Sequence, residues 1–312
     1  MKISVTRKSF RKTINDPKLF SKLVTFGDGH KVEAVYEDSL SSGSSIGTVV
    51  GFHGAPGSHN DFKYIRQNLE GFGIRFIGLN YPGFSHTKGY AGQGFDNVER
   101  QMYTDALLEK LDIPGRIVYM GHSRGCENAL QTAVENNAHG LVLINPVGFQ
   151  PVRSIPSASF IGQGLKLIDL LPSYIVNPIA YQIYKSLGFR VHHGEECISG
   201  LRTMVHLMLA DAIPHIEKFN TLNTKVLLLY GGKDKLLAAE DIFEVLEKYK
   251  GLEDFRFEGE PDNEEVSKTF LNSGKGASVL VQKDNHFQNK ARADLISTSL
   301  YTMLSLTEDE KT

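Results

Sequence analysis

Cysteine is scarce in this chain. Cys126 and Cys197 are the two it has, too few for a disulfide framework or a structural zinc site, and both read as reduced thiols, which suits an intracellular compartment. Charge of either sign is not in excess: 34 Lys and Arg stand against 36 Asp and Glu, a formal net charge of −2. That balance gives no support to nucleic-acid binding, which shows as a basic surplus. No run of about eighteen apolar residues occurs, so no transmembrane helix is expected, and the N-terminus lacks the apolar core of a signal peptide. Metal-ligand spacings such as H-E-x-x-H are missing, and His192 and His193 are adjacent rather than on one helix face. "GGKDK" at 231–235 lacks the spacing and the Lys-Ser/Thr end of a phosphate loop. Neither a metal nor a cofactor is expected.

The composition, 41% hydrophobic and 22% charged over 312 residues, is that of an ordinary globular protein with a sizeable core. Residues 1–22 form a basic leader, with seven Lys or Arg against the single acid Asp16. A mitochondrial presequence has that character, but Asp16-Pro17 interrupts the helical pattern it needs, so the cytoplasm is the expected location. Two strands, Leu23–Phe26 and Val32–Tyr36, flank the turn "GDGH", and "DSLSSGSSIG" is a Ser/Gly-rich loop. Short apolar runs then alternate with helical patterns. Strands are expected at Thr48–Phe52, Ile74–Asn80, Arg116–Met120 and Gly140–Pro146, and helices at Asp61–Leu69, Asn97–Leu111 and from Arg124 to about Glu135. From Phe149 to about Phe219 only helical patterns appear. Alternation resumes with strands at Lys225–Tyr230, "FRFEG" and Ala277–Gln282, and helices at Ala239–Tyr249, near 261–274 and at Ala291–Leu304. Such alternation argues for an α/β fold with a mostly parallel sheet and helices on both faces. The chain divides into the leader, a core from 23 to 149, a helical insertion at 150–219 and the rest of the core at 220–312.

In open α/β sheets ligands gather at the carboxyl ends of strands. Here one strand delivers "HGAPG" (His53–Gly57), a second delivers Ser123 within "GHSRG" (Gly121–Gly125), a third Asp234 and the last His286. A serine, an acid and a histidine thus follow strands in the order expected when the serine sits on a strand-to-helix elbow. Taken singly each has a plainer reading: a serine in a glycine turn, an aspartate capping a helix, and one histidine among rivals such as His53, His59, His86, His122, His192 and His193. Only His286 follows the last strand and precedes the last helix.

On these residues the chain resembles the α/β-hydrolase fold family over about Val49–Leu304, in particular the serine-nucleophile branch with a helical cap. The resemblance implies Ser123 as nucleophile, His286 as general base and Asp234 as its orienter. It implies an oxyanion hole from the backbone N–H groups of Ala55 and Arg124, and Gly54, Gly121 and Gly125 as the glycines of the loop and elbow. Residues 150–219 become a cap whose Phe160, Met204 and Met208 are candidate lining for an acyl pocket. The implied activity is hydrolysis of a small or medium carboxylic ester or thioester through an acyl-enzyme on Ser123. Its partner is a small-molecule acyl substrate, and nothing fixes an oligomeric state. A cofactor-free carbon–carbon bond hydrolase using the same triad, and a catalytically idle binding protein of the same fold, are the alternatives. Related hydrolases carry Asp where Asn80 opens "NYPGFSHT", Gly where Ser85 stands, and a third small residue, commonly Gly, where Cys126 follows the elbow. Asn keeps the turn-forming bonds of Asp without its charge, and cysteine is small enough for helix–strand packing.

Overall fold

The central strands carry almost no polar residue because both of their faces are covered. Alternate residues of one strand enter different cores: Tyr119, Leu141, Leu143, Val226 and Leu228 face one way, and Val118, Met120, Val142, Leu227 and Leu229 the other. A strand buried on both faces reads as a continuous apolar run, which is what "TVVGF" and "KVLLLY" show. The computed structural model describes residues 19–149, 157–207, 209–236, 239–272 and 274–306.

Nine strands form one sheet: β1 (Leu19–Phe26), β2 (His30–Asp38), β3 (Thr48–Phe52), β4 (Arg75–Gly78), β5 (Ile117–His122), β6 (Gly140–Ile144), β7 (Lys225–Gly231), β8 (Leu252–Phe257) and β9 (Gly276–Val281). Their spatial order is β1-β2-β4-β3-β5-β6-β7-β9-β8. β2 pairs antiparallel with β1 and β4, and all other pairings are parallel. The helices are α1 (Lys63–Gly71), α2 (Asn97–Leu111), α3 (Gly125–Glu135), α4 (Ala158–Asp169), α5 (Ser173–Ser186), α6 (Gly194–Val205), α7 (Ala212–Phe219), α8 (Ala239–Lys248), α9 (Asn263–Thr269), α10 (Gln288–Ala291) and α11 (Ala293–Ser305). Side chains of α2, α3, α7 and α8 fill one core; those of α1, α9 and α11 fill the other. The fold is that of an α/β hydrolase, with α4–α6 inserted between β6 and β7 as a helical cap, while α7, expected within the cap, packs on α3 in the core because Ile216 and Phe219 are buried there.

Two other expectations need correcting. The first strand starts at Leu19 rather than Leu23, so Leu19–Lys22 pair with β2 instead of belonging to a leader; residues 1–18 lie outside the described residues. The helix expected at Asp61 is preceded by a single 3₁₀ turn, His59–Phe62, which Ser58 caps in a reciprocal box with Asp61.

The chain moves outward from β3 to β4 and then crosses back to β5, so a switch point falls between β3 and β5. The carboxyl ends of those strands form the crevice where α/β proteins bind ligands. The cap is fastened there. A Cβ on Gly200 of α6 would lie 3.2 Å from Pro56, and the Thr203 hydroxyl donates to the Phe95 carbonyl at 2.9 Å. The buried Glu196 carboxylate accepts the N–H groups of Ser85 (2.6 Å) and His192 (2.7 Å).

Candidate active site

β5 runs straight into the elbow. Ser123 holds φ +51°, a left-handed conformation that costs a non-glycine residue about 1–3 kcal/mol and persists only where its surroundings enforce it. Here they do: the Ser123 N–H donates to the Ile144 carbonyl of the neighbouring strand at 2.9 Å, and α3 starts two residues later. Both flanking glycines are required by contact. A Cβ on Gly121 would lie 2.6 Å from the Cys126 Cα, and one on Gly125 would collide with the Phe52 carbonyl oxygen. Cys126 tucks beneath the elbow, fully buried, its thiol pushed well above the ordinary value by burial, which removes it as a nucleophile.

The loop after β3 lies against the serine. A Cβ on Gly54 would approach the Ser123 Cβ to 3.2 Å. The next residue, Ala55, precedes a cis proline. Among the described residues neither the Ala55 N–H nor the Arg124 N–H has an acceptor. The loop is held by His53, whose Nδ1–H donates to the Gly54 carbonyl at 2.7 Å while Nε2 accepts the Tyr81 N–H at 3.1 Å. These two bonds fix one neutral tautomer.

Asp234 leaves β7 on a tight turn, its N–H donating to the Gly231 carbonyl at 3.1 Å. Its Oδ1 accepts the Leu236 N–H at 2.7 Å, and its Oδ2 takes the Nδ1–H of His286 at 2.6 Å. Both side chains are nearly closed to solvent. The backbone carbonyl of His286 is clamped in turn by two donors at 3.0 Å, His122 Nε2 and Asn145 Nδ2. Asn145 also accepts the Gly231 N–H at 2.9 Å, so one side chain ties the end of β6 to both acid and base loops. The rings of His122 and His286 are 5.1 Å apart.

Most of the residues singled out in the sequence therefore meet at one edge of the sheet: the Gly54–Ala55 loop lies against Ser123, and Asp234 holds His286. His122 and Asn145, which position His286, were missed as contributors; their one signal is that each stands at the carboxyl end of a central strand. Asn80 explains its own departure from the family pattern. Its Oδ1 accepts both the N–H and the ring Nδ1–H of His59 at 3.0 Å, while its Nδ2 donates to the Val35 carbonyl, a bond no aspartate makes. Ser85 keeps the left-handed backbone, φ +50°, with its N–H held by Glu196. On the cap, Phe160 points outward and is 68% exposed, Met204 is half-buried on α6, and Met208 lies outside the described residues. A cleft of about 1270 Å³ separates the 83–95 loop from α4–α6, and Phe160, Met204, Ser123 and His286 are not among its lining residues. The cap reaches the His286 loop elsewhere, through Phe189, whose ring meets that of Phe287 edge-on at 5.7 Å.

Two buried imidazoles give the site a measurable acid sensitivity. Burial, with Arg100 adding to it, drives His53 from 6.5 to about 3; burial, with His286 adding to it, drives His122 from 6.5 to about 3. As pH falls below 6.5 the unfolded chain binds protons at these rings and the folded chain does not. The stability they contribute is therefore complete above pH 6.5 and drains toward pH 3, by about 1.4 kcal/mol per pH unit for each ring. Urea denaturation at pH 7 and pH 5 is expected to show that loss, and His122→Asn, which retains a donor for the His286 carbonyl, to reduce the slope. An unchanged slope would mean that His122 titrates in the fold as it does in the unfolded chain.

The comparisons agree with this architecture. The family model described as "Alpha/beta hydrolase of unknown function (DUF1057)" matches residues 16–305. The uncharacterized protein F35H12.5 of Caenorhabditis elegans is 30% identical over 283 residues, covering 85% of this chain and 79% of its own. Among solved structures, an esterase from Thermogutta terrifontis superposes with a TM-score of 0.62 at 15% identity, covering 90% of this chain and 96% of its own. The esterase EaEST from Exiguobacterium antarcticum gives 0.61 at 16% identity over 92% and 100%. With the family model spanning nearly all of the chain, the protein belongs to the α/β-hydrolase family designated DUF1057.

Proposed function

We propose that the protein is a serine hydrolase that cleaves a small or medium carboxylic ester or thioester through an acyl-enzyme on Ser123. The observation that carries this reading is the 2.6 Å bond from His286 Nδ1 to the enclosed Asp234 carboxylate. It commits the imidazole hydrogen to Nδ1 and leaves Nε2 as a base. His286 Nε2 takes the Ser123 proton as Oγ attacks the acyl carbon, since a free hydroxyl is a weak nucleophile near neutrality. Negative charge then grows on the former carbonyl oxygen, and the N–H groups of Ala55 and Arg124 stabilise it; one such donor is worth about 2.7–4 kcal/mol in comparable enzymes. The imidazolium, stabilised by Asp234, returns its proton to the departing alkoxide or thiolate. Water repeats the sequence on the acyl-enzyme, releasing the acid and restoring Ser123. The reaction needs no cofactor and its substrate is a small acyl compound. The solved esterases of the same fold support the ester class, and the cytoplasm is the proposed site of action.

The test is pre-steady-state hydrolysis of a p-nitrophenyl ester. The expected trace is a burst of about one nitrophenolate per chain followed by slower turnover, the signature of an accumulating acyl-enzyme. Turnover of a vinylogous diketone with no ester cleavage would replace this reading by carbon–carbon bond hydrolysis.

A further inference from the structure

The cap carries a second apolar surface that the hydrolase reading does not use. Of the sixteen large apolar side chains exposed among the described residues, nine fall between Phe160 and Leu187. They are ordered by helical geometry. On α4, Phe160 and Leu167 stand at i and i+7, two turns apart on one exposed stripe of a 3.6-residue helix, while Ile161 and Leu165 are the buried residues of the same helix. On α5, Ile175, Ile179 and Ile183 recur every four residues and are exposed, whereas Val176 and Ala180 are buried. Both helices pack on α6, and α6 is the layer joined to the core through Pro56, Ser85 and Phe95. Each outer helix therefore has one apolar face spent on the fold and another left open. Where the two helices join, Leu170 (80% exposed) and Tyr174 (77% exposed) project from either side of Leu171-Pro172.

Charge decides what covers this face. On α4 and α5 the chain carries Lys166 and Lys185 against the single acid Asp169, and Asp169 is paired with Arg202. A chain of net charge −2 has thus made its most apolar surface basic. Apposing two copies of this surface would set lysine against lysine, whereas an anionic headgroup layer would neutralise them. Long lysine stems also let the ammonium groups remain at the headgroups while the leucines and isoleucines enter the acyl layer. We propose that the outer face of α4 and α5 is a docking surface for an anionic phospholipid bilayer, with the Leu170–Tyr174 junction as its leading edge. This surface is separate from the serine chemistry and does not depend on it.

The absence of tryptophan supplies a clean reporter. In the full-length protein, Leu170→Trp is expected to show a blue-shifted emission on adding phosphatidylcholine vesicles containing phosphatidylglycerol. Leu23→Trp, an exposed position on the edge strand β1, is expected to show no shift. Unlabelled wild type should float with the same vesicles. Ile179→Asp/Ile183→Asp should lower the bound fraction at least tenfold with unchanged thermal unfolding, and Lys166→Glu/Lys185→Glu should do so mainly at low salt. Absence of both flotation and a blue shift would overturn the proposal, as would an equal shift from Leu23→Trp. A dimer seen by light scattering that Ile179→Asp/Ile183→Asp dissolves, without lipid binding by the wild type, would assign the face to a second copy instead.

Discussion

Ser123→Ala is expected to lower turnover of an activated ester by up to about 10⁶-fold, the loss seen when a serine hydrolase surrenders its nucleophile, while leaving the fold intact. The same position makes an unusual stability prediction. Ser123 is held at φ +51°, where a residue with a Cβ is strained by about 1–3 kcal/mol and glycine is not. Glycine also loses more chain entropy on folding, about 0.5–1 kcal/mol. The balance makes Ser123→Gly an inactive protein that is more stable than wild type by about 1 kcal/mol in urea denaturation. A less stable Ser123→Gly would show that the elbow stores no strain and that the serine side chain is there for packing.

Asp234→Asn is expected to cut turnover by about 10⁴-fold with little change in stability. The carboxylate accepts from His286 Nδ1 at 2.6 Å and from the Leu236 N–H at 2.7 Å. An amide in its place presents an N–H to Nδ1, which turns the ring into the tautomer with its hydrogen on Nε2 and removes the base. Asp284, two residues before His286, is the control. It grips Arg292 with both oxygens, at 2.6 and 2.8 Å, and accepts from Gln288 at 2.9 Å. Burial works to raise its carboxyl, but the bonds from Arg292 and Gln288 prevail and hold it below the ordinary value. Asp284→Asn should therefore lower stability at neutral pH, with that deficit shrinking as acid protonates the wild-type carboxylate, and should leave the chemistry largely in place. If Asp284→Asn abolished turnover and Asp234→Asn did not, the roles of the two acids would be reversed.

The hydrophobic runs made the fold legible because central parallel strands are buried on both faces and leave no room for polar residues. The candidates Ser123, Asp234 and His286 stood out for a related reason: each sits just past such a run, at the sheet edge where ligands gather in α/β proteins. The first strand was read four residues short because only two of its eight residues, Val24 and Phe26, are buried, too few to show a period. Glu196 reaching Ser85, Asn145 joining two loops and Phe189 leaning on Phe287 are contacts between segments far apart in the chain, and no local pattern announces them. Phe160 shows a further limit. Its helix is apolar on two sides, and periodicity says that a stripe exists without saying whether it faces inward or outward.

The central claim is that Ser123 is a nucleophile activated by His286, and labelling with a fluorophosphonate followed by peptide mass spectrometry tests it most directly. The account predicts one adduct per chain, on Ser123, absent from Ser123→Ala and strongly slowed in His286→Ala. An adduct on a different serine, or none on folded wild-type protein, would contradict it.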